Sequence, residues 1–231
     1  MATYILVHGS WAGGWQFKQV AKHLQQAGHT VYRPTLTGLG ERVHLASPEI
    51  GLDTHISDIV NLLKYEELSD VTLLGYSYSG MVITGVAQQA TDRIARLVYL
   101  DGYVPGHGEA LANMIDAGVM TALEGAAREF GDGWRIPHNP PDAHLRTDMP
   151  LKPIKDVVNL NRPDAAAMIA RAFIHCTVLQ DDMLPLLTSV IVAAERAIDD
   201  PDWQYFELDG SHGDIWQTHP GEIADILLQP V

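Results

Sequence analysis

The chain has 231 residues, 46% of them hydrophobic, which fits one domain with a substantial core. Its 15 basic and 29 acidic side chains leave a formal charge of −14, which argues against nucleic acid or an anionic membrane as partner, since both attract basic surfaces. One cysteine, Cys176, excludes an internal disulfide, and no signal peptide or membrane-length apolar run is evident, so the expected setting is reducing and cytoplasmic.

Residues 4–7 read as a buried strand that ends in a glycine-rich turn, His8-Gly9-Ser10-Trp11-Ala12-Gly13-Gly14-Trp15. Glycines there let backbone amides approach a ligand, but the lysine and hydroxyl of a phosphate loop are missing. Val20, Ala21, Leu24 and Ala27 recur at helical spacing until Gly28 stops the helix. A strand over 30–35 and a polar loop over 36–52 follow. Asp53 or Thr54 then caps a helix whose apolar face is Ile56, Ile59, Val60 and Leu63.

The next stretch is the most informative. Val71 to Leu74 is a continuous run suited to a strand buried on both faces. Gly75-Tyr76-Ser77-Tyr78-Ser79 makes a sharp turn, and a helix with small residues at Gly80 and Gly85 continues from it. This is the strand–elbow–helix setting of a G-x-S-x-G nucleophile, with Ser79 in the place of the last glycine. Residues 94–100 form another apolar strand, which ends at Asp101.

Residues 103–170 break the rhythm. A helix is expected over 111–130, then a proline-rich stretch over 131–155 containing Trp134, and Arg162-Pro163-Asp164-Ala165 can start a further helix. The rhythm resumes with a strand over 172–179, a turn at 180–185, a helix over 186–198, a strand over 203–208, a turn at 209–214 and a closing helix over 220–228. Alternating strands and helices predict an α/β fold: a mostly parallel sheet of about six strands flanked by helices. The core is 1–102 and 171–231, with a helical cap at 103–170 inserted after the strand that follows the nucleophile helix, in one compact domain. Ligands of such sheets bind outside the carboxyl ends of the strands, where Ser77, the glycine-rich turn and Asp101 all fall.

A serine hydroxyl needs a base within hydrogen-bond reach. Of 11 histidines, His212 lies in the turn after the last strand, at the edge where Ser77 emerges, and the order Ser…Asp…His fits a triad. His175, inside a strand, reads as packed or exposed there. The orienting carboxylate is open between Asp181, favoured for its place after the strand preceding His212, and Asp101, with Asp182 behind them. The amides of Tyr78 and Ser10 are the expected oxyanion donors. Trp11, Trp15 and Trp134 are the expected apolar pocket, with Tyr78, Met114 and Phe130 as further candidates.

His8-Gly9-Ser10 with Gly13-Gly14-Trp15, the elbow and the late Ser211-His212-Gly213 resemble the α/β-hydrolase superfamily along nearly the whole chain. Within it, V-H-G-x-x-x-G-G-W is similar to the plant methyl-ester esterase and hydroxynitrile-lyase group and its bacterial esterase relatives. The resemblance implies a Ser77–His212–Asp triad, oxyanion amides at Ser10 and Tyr78, and neither cofactor nor metal. In that group the acid follows the C-T pair of its strand closely, whereas Val178-Leu179-Gln180 here separate Thr177 from Asp181, which keeps Asp101 open. The lyases carry a lysine just after the histidine, where this chain has Gly213. The expected activity is serine hydrolysis of a carboxylic ester, carbamate or activated amide with a small to medium, largely apolar body. Alternatives are a ligand receptor that retains the triad, or another chemistry on the same fold, such as carbon–carbon bond hydrolysis or the lyase reaction. The expected partner is a small-molecule ester.

Overall fold

The computed structural model describes residues 1–138, 145–162 and 168–230. Six parallel strands form one sheet: β1 (Thr3–Val7), β2 (Thr30–Tyr32), β3 (Val71–Tyr76), β4 (Ile94–Leu100), β7 (Ala170–Val178) and β8 (Trp203–Ser211), in the spatial order β2-β1-β3-β4-β7-β8. Between β4 and β7 the chain adds a small antiparallel pair, β5 (Arg135–Ile136) and β6 (Met149–Pro150). Strand residues alternate between two cores. Ile5, Val7, Leu73, Leu97 and Phe173 face the layer of α2 (Leu52–Tyr65), α3 (Ser79–Gln89) and α7 (Leu184–Asp199). Tyr4, Leu6, Leu74, Val98 and Ile174 face α1 (Lys18–Gln26) and α9 (Pro220–Leu227).

Several boundaries differ from the sequence reading for local reasons. Neither Asp53 nor Thr54 is the N-cap of α2; Gly51 is, and the Thr54 hydroxyl accepts from its amide at 3.4 Å. The Leu52 amide, which has no acceptor within the helix, is met instead by Asp156 at 3.0 Å, a partner 104 residues away. The single helix expected over 111–130 is two, α4 (Leu111–Met114) and α5 (Ala117–Phe130). Asp116 breaks it by accepting from the Gly118 and Val119 amides at 2.7 and 3.3 Å, the N-cap role to which a short carboxylate side chain is suited. The last strand runs on to Ser211, so His212 stands directly at the end of β8. Two further short helices are α6 (Lys152–Lys155) and α8 (Ile215–Thr218). The helix start expected at Arg162-Pro163-Asp164-Ala165 falls on 163–167, outside the described residues. Among the described residues no helix is long and apolar enough to cross a membrane.

Glycines set the spacing where α3 leaves the sheet. A Cβ on Gly75 would lie 2.6 Å from the Ser79 carbonyl oxygen, which is why a glycine precedes Ser77 by two positions. A Cβ on Gly80 would lie 2.0 Å from the Tyr103 carbonyl oxygen and 2.8 Å from its amide nitrogen. Backbone cannot move aside as a flexible side chain can, so Gly80→Ala is expected to lower stability by about 1–3 kcal/mol in urea unfolding. Gly125→Ala is the control. A Cβ there meets nothing within 4 Å, inside α5, so it should raise stability by up to ~1 kcal/mol.

Candidate active site

Four strand ends bring the site together. Ser77 follows β3, Asp101 follows β4, His212 follows β8, and Ser10 belongs to the turn after β1. Ser77 has φ 54°, left-handed and uncommon for a residue with a side chain. The conformation is held from both sides: its amide donates to the Leu100 carbonyl at 3.2 Å, and its carbonyl accepts from Gly80 at 3.0 Å and Tyr103 at 3.2 Å. Its hydroxyl lies 3.0 Å from His212 Nε2, and His212 Nδ1 lies 2.7 Å from Asp101 Oδ2. A carboxylate only accepts, so Nδ1 carries the proton and Nε2 is free to accept from Ser77.

The carboxylate against His212 is therefore that of Asp101, and Asp181, favoured from sequence, is not in contact with the histidine. Asp181 and Asp182 are exposed, because Val178, Leu179 and Gln180 carry the chain past the sheet edge into a surface turn. Asp101 is only 1% exposed. Its Oδ1 accepts from the Cys176 amide at 3.2 Å and faces His175 Nδ1 at the same distance. Burial pushes its acidity toward the neutral form, but the hydrogen bonds from His175, His212 and the Cys176 amide outweigh that and hold the carboxyl down at about 2.

The glycine-rich turn packs directly on the elbow. A Cβ on Gly9 would lie 3.0 Å from the Tyr76 ring and 3.4 Å from Ser77 Cβ. Ser79, in the position usual for glycine, is fully buried and donates its hydroxyl to the His8 carbonyl, tying turn to elbow. Gln16 Oε1 accepts from the Gly9 amide at 2.9 Å. Tyr76 donates its hydroxyl to the His212 carbonyl, bracing that residue from behind. Tyr78 is the N-cap of α3, where the first amides have no intrahelical acceptor. Its side chain is anchored in the core, its hydroxyl 2.8 Å from His55 Nδ1. His55 Nε2 faces the Thr37 carbonyl at 3.0 Å, so it is the donor and Nδ1 accepts from Tyr78.

A cavity of about 420 Å³ opens over Ser77 and His212. Ser10, Trp11, Gln16, Tyr76 and Gly213 line its floor, and Met183 and Leu186 come from the start of α7 and the turn before it. Tyr103, Leu111, Ile115, Leu123, Pro137, Arg146 and Ile154 line it from the segment between β4 and β7. Of the three tryptophans expected there, Trp11 is present. Trp15 turns away to pack edge-on against Trp216 at 5.6 Å, and Trp134 lies under the Arg135 guanidinium at 5.7 Å. Phe130 is exposed and Tyr78 is buried in the core. Met114 packs against the core beside α7, its carbonyl accepting from Ser189 at 2.6 Å. Sequence reasoning missed Gln16, Tyr76, His175 and Arg146. Gln16, His175 and Arg146 stand in no distinctive motif, Tyr76 fills a variable position of the elbow, and only the fold brings these side chains together. Among the described residues no cluster of three or more His, Cys, Asp or Glu side chains is placed to hold a metal ion.

A model of the alpha/beta hydrolase family matches residues 4–226, and the chain belongs to that family. It is similar to the carbendazim hydrolyzing esterase of Nocardioides sp. (strain SG-4G), 50% identical over 115 residues, which are 50% of this chain and 48% of the relative. An alpha-hydroxynitrile lyase of Arabidopsis thaliana is 25% identical over 114 residues, 49% of this chain and 44% of the lyase. The matched region thus spans about half the length of these curated relatives. An extracellular alpha/beta-hydrolase from Paenibacillus species superposes with a TM-score of 0.80 over 99% of this chain and 98% of that one, at 23% identity, which shows the shared fold.

Two buried histidines next to the site leave a signature in stability. Burial lowers His8 and His55 from 6.5 to about 4, against the opposing bonds to the Gly9 and Thr37 carbonyls. Both stay neutral in the folded chain while the unfolded chain takes up protons below about pH 6.5. Stability is therefore expected to fall as pH drops from about 6.5 to 4, each histidine contributing up to about 1.4 kcal/mol per pH unit. Asp101, depressed from 3.8 to about 2, takes over below that: its contribution is present above about pH 4 and is lost as pH falls toward 2. Urea midpoints across pH should show both limbs, with the upper one shallower in His55→Gln.

Proposed function

We propose that this protein is a serine hydrolase that cleaves carboxylic esters, with carbamates and activated amides within its reach, through an acyl-enzyme on Ser77. The observation that carries the reading is the unbroken chain Ser77 Oγ–His212–Asp101 at the floor of a largely apolar cavity. His212 Nε2 takes the Ser77 proton as Oγ attacks the carbonyl carbon. Asp101 keeps the imidazole in the tautomer that leaves Nε2 free and stabilises the imidazolium that forms. The Ser10 and Tyr78 amides receive the developing oxyanion; removing one such donor typically costs about 3–4 kcal/mol of transition-state stabilisation. The imidazolium then protonates the departing alkoxide, the alcohol leaves, and His212 activates water to release the acid and restore Ser77. Every proton moves between Ser77, His212, water and substrate, so these steps call for no cofactor.

The Nocardioides relative is by name an esterase, which supports the same reaction class. Gly213 follows His212 and brings no cation beside the base, which favours hydrolysis over the lyase reaction. The apolar side chains Leu111, Ile115, Leu123, Ile154 and Leu186 around the cavity suit a small to medium, mainly apolar substrate body. A reducing, cytoplasmic setting belongs to the same reading, because Cys176 is buried and unpaired.

The first test is reaction with a fluorophosphonate followed by mass mapping, where a single adduct on Ser77 is expected. Ser77→Ala should lose both the adduct and ester hydrolysis while unfolding at the parent's urea midpoint. Asp101→Asn should lower kcat by about 10³–10⁴, and Asp181→Asn should stay within about twofold, since it touches none of the reacting groups. Parent-like turnover in a clean Ser77→Ala preparation would end the assignment.

A further inference from the structure

Among the described residues, Arg146 is the one permanently charged side chain on the wall of the cavity that holds Ser77 and His212. An arginine in such a place normally has a carboxylate partner, because an unpaired charge beside apolar groups is costly to hold. Among the described residues Arg146 has neither an ion pair nor a hydrogen bond. The nearest acid in sequence, Asp148, is already taken: Arg135 Nε lies 3.6 Å and His138 Nδ1 3.2 Å from its two oxygens. Asp101, at the floor, is occupied by His175, His212 and the Cys176 amide.

The backbone beside Arg146 is fixed. The Thr147 amide donates to the Trp11 carbonyl at 3.1 Å, and its hydroxyl accepts from the Gly40 amide at 3.0 Å. Both bonds anchor this segment to loops on the strand-end side of the sheet, the first of them to the turn that carries Ser10. The charge is felt inside the site as well. Burial pushes the Tyr76 phenol well above its ordinary value, Cys176 and Asp101 add to that, and Arg146 opposes it.

We propose that Arg146 is an anion subsite, and that the substrate is an ester whose otherwise apolar body carries one carboxylate. This deepens the serine-hydrolase reading and rests on it for the identity of the bond cleaved. A guanidinium matches a carboxylate through two parallel N–H···O bonds, which fixes orientation as well as affinity. On a protein of net charge −14, whose overall field repels anions, a partly exposed arginine on the cavity wall, unpaired among the described residues, supplies the local attraction that such a substrate requires.

The test separates binding from turnover. Two para-nitrophenyl esters of equal acyl chain length, the glutarate hemiester with its free carboxylate and the neutral valerate, are titrated into Ser77→Ala protein, with tryptophan fluorescence reporting through Trp11 on the cavity wall. The hemiester should bind about tenfold or more tightly than the valerate, the ratio expected of a hydrogen bond to a charged group. The ratio should collapse toward one in Ser77→Ala with Arg146→Met, recover in part with Arg146→Lys, and shrink as salt is raised. Equal binding of the two esters, or a preference that persists with Arg146→Met, would overturn the subsite. Turnover by the parent protein is read separately. Valerate hydrolysis lost on Ser77→Ala supports the reaction class, whereas a preference in binding without any turnover would leave the subsite standing and remove the esterase.

Discussion

A carboxylate sealed from water at the end of β4 is the constraint around which the site is arranged. Asp101 can stay ionised there only because His212, His175 and the Cys176 amide all donate to it. These donors come from β7 and the residue after β8, so the arrangement exists only if β4, β7 and β8 are neighbours in that order. The sheet topology is thus part of the electrostatics. A carboxylate on an outer strand could not have three donors converge on it and would be wet.

Three side-chain-bearing residues near the site have left-handed backbone: Trp11 at φ 59°, Ser77 at 54° and Asp101 at 44°. Each lies at or just past the carboxyl end of a parallel strand. Such conformations cost of order 1 kcal/mol or more apiece and persist only where neighbours over-determine them. Ser77 is held through Leu100, Gly80 and Tyr103, and Asp101 through the Ile174 carbonyl, which accepts its amide at 2.7 Å. The sheet supplies a rigid edge, and the sharp turns at that edge aim the side chains away from the strand direction into one shared space.

The strand rhythm, the elbow and the final histidine were legible because each is local: a glycine two residues before Ser77, apolar runs of strand length, a histidine in a turn. The carboxylate that meets His212 was not, because the choice between Asp101 and Asp181 depends on how far each turn travels from the sheet edge and on which strand is central. Ser79 illustrates the same limit. It looks like a departure from a glycine motif, yet its hydroxyl ties the elbow to the glycine-rich turn. Aromatic composition misled for Trp15 and Trp134, since a large ring near a motif takes whichever neighbouring partner suits its edge or face, here the Trp216 ring and the Arg135 guanidinium. Arg146 and His175 stand in no motif, and the helix break at Asp116 became visible only with the short capping bonds it makes.

The exposed turn after β7 has a consequence for how such a protein can change. It carries no member of the Ser77–His212–Asp101 chain, yet the turn and the helix start that follows it place Met183 and Leu186 on the cavity wall. A loop that shapes the cavity without contributing to the Ser77–His212–Asp101 chain can be lengthened, shortened or re-sequenced without touching those hydrogen bonds. The shape of the cavity and the hydrogen-bonded chain at its floor are thereby written in separate parts of the sequence, so that one can vary while the other stays fixed.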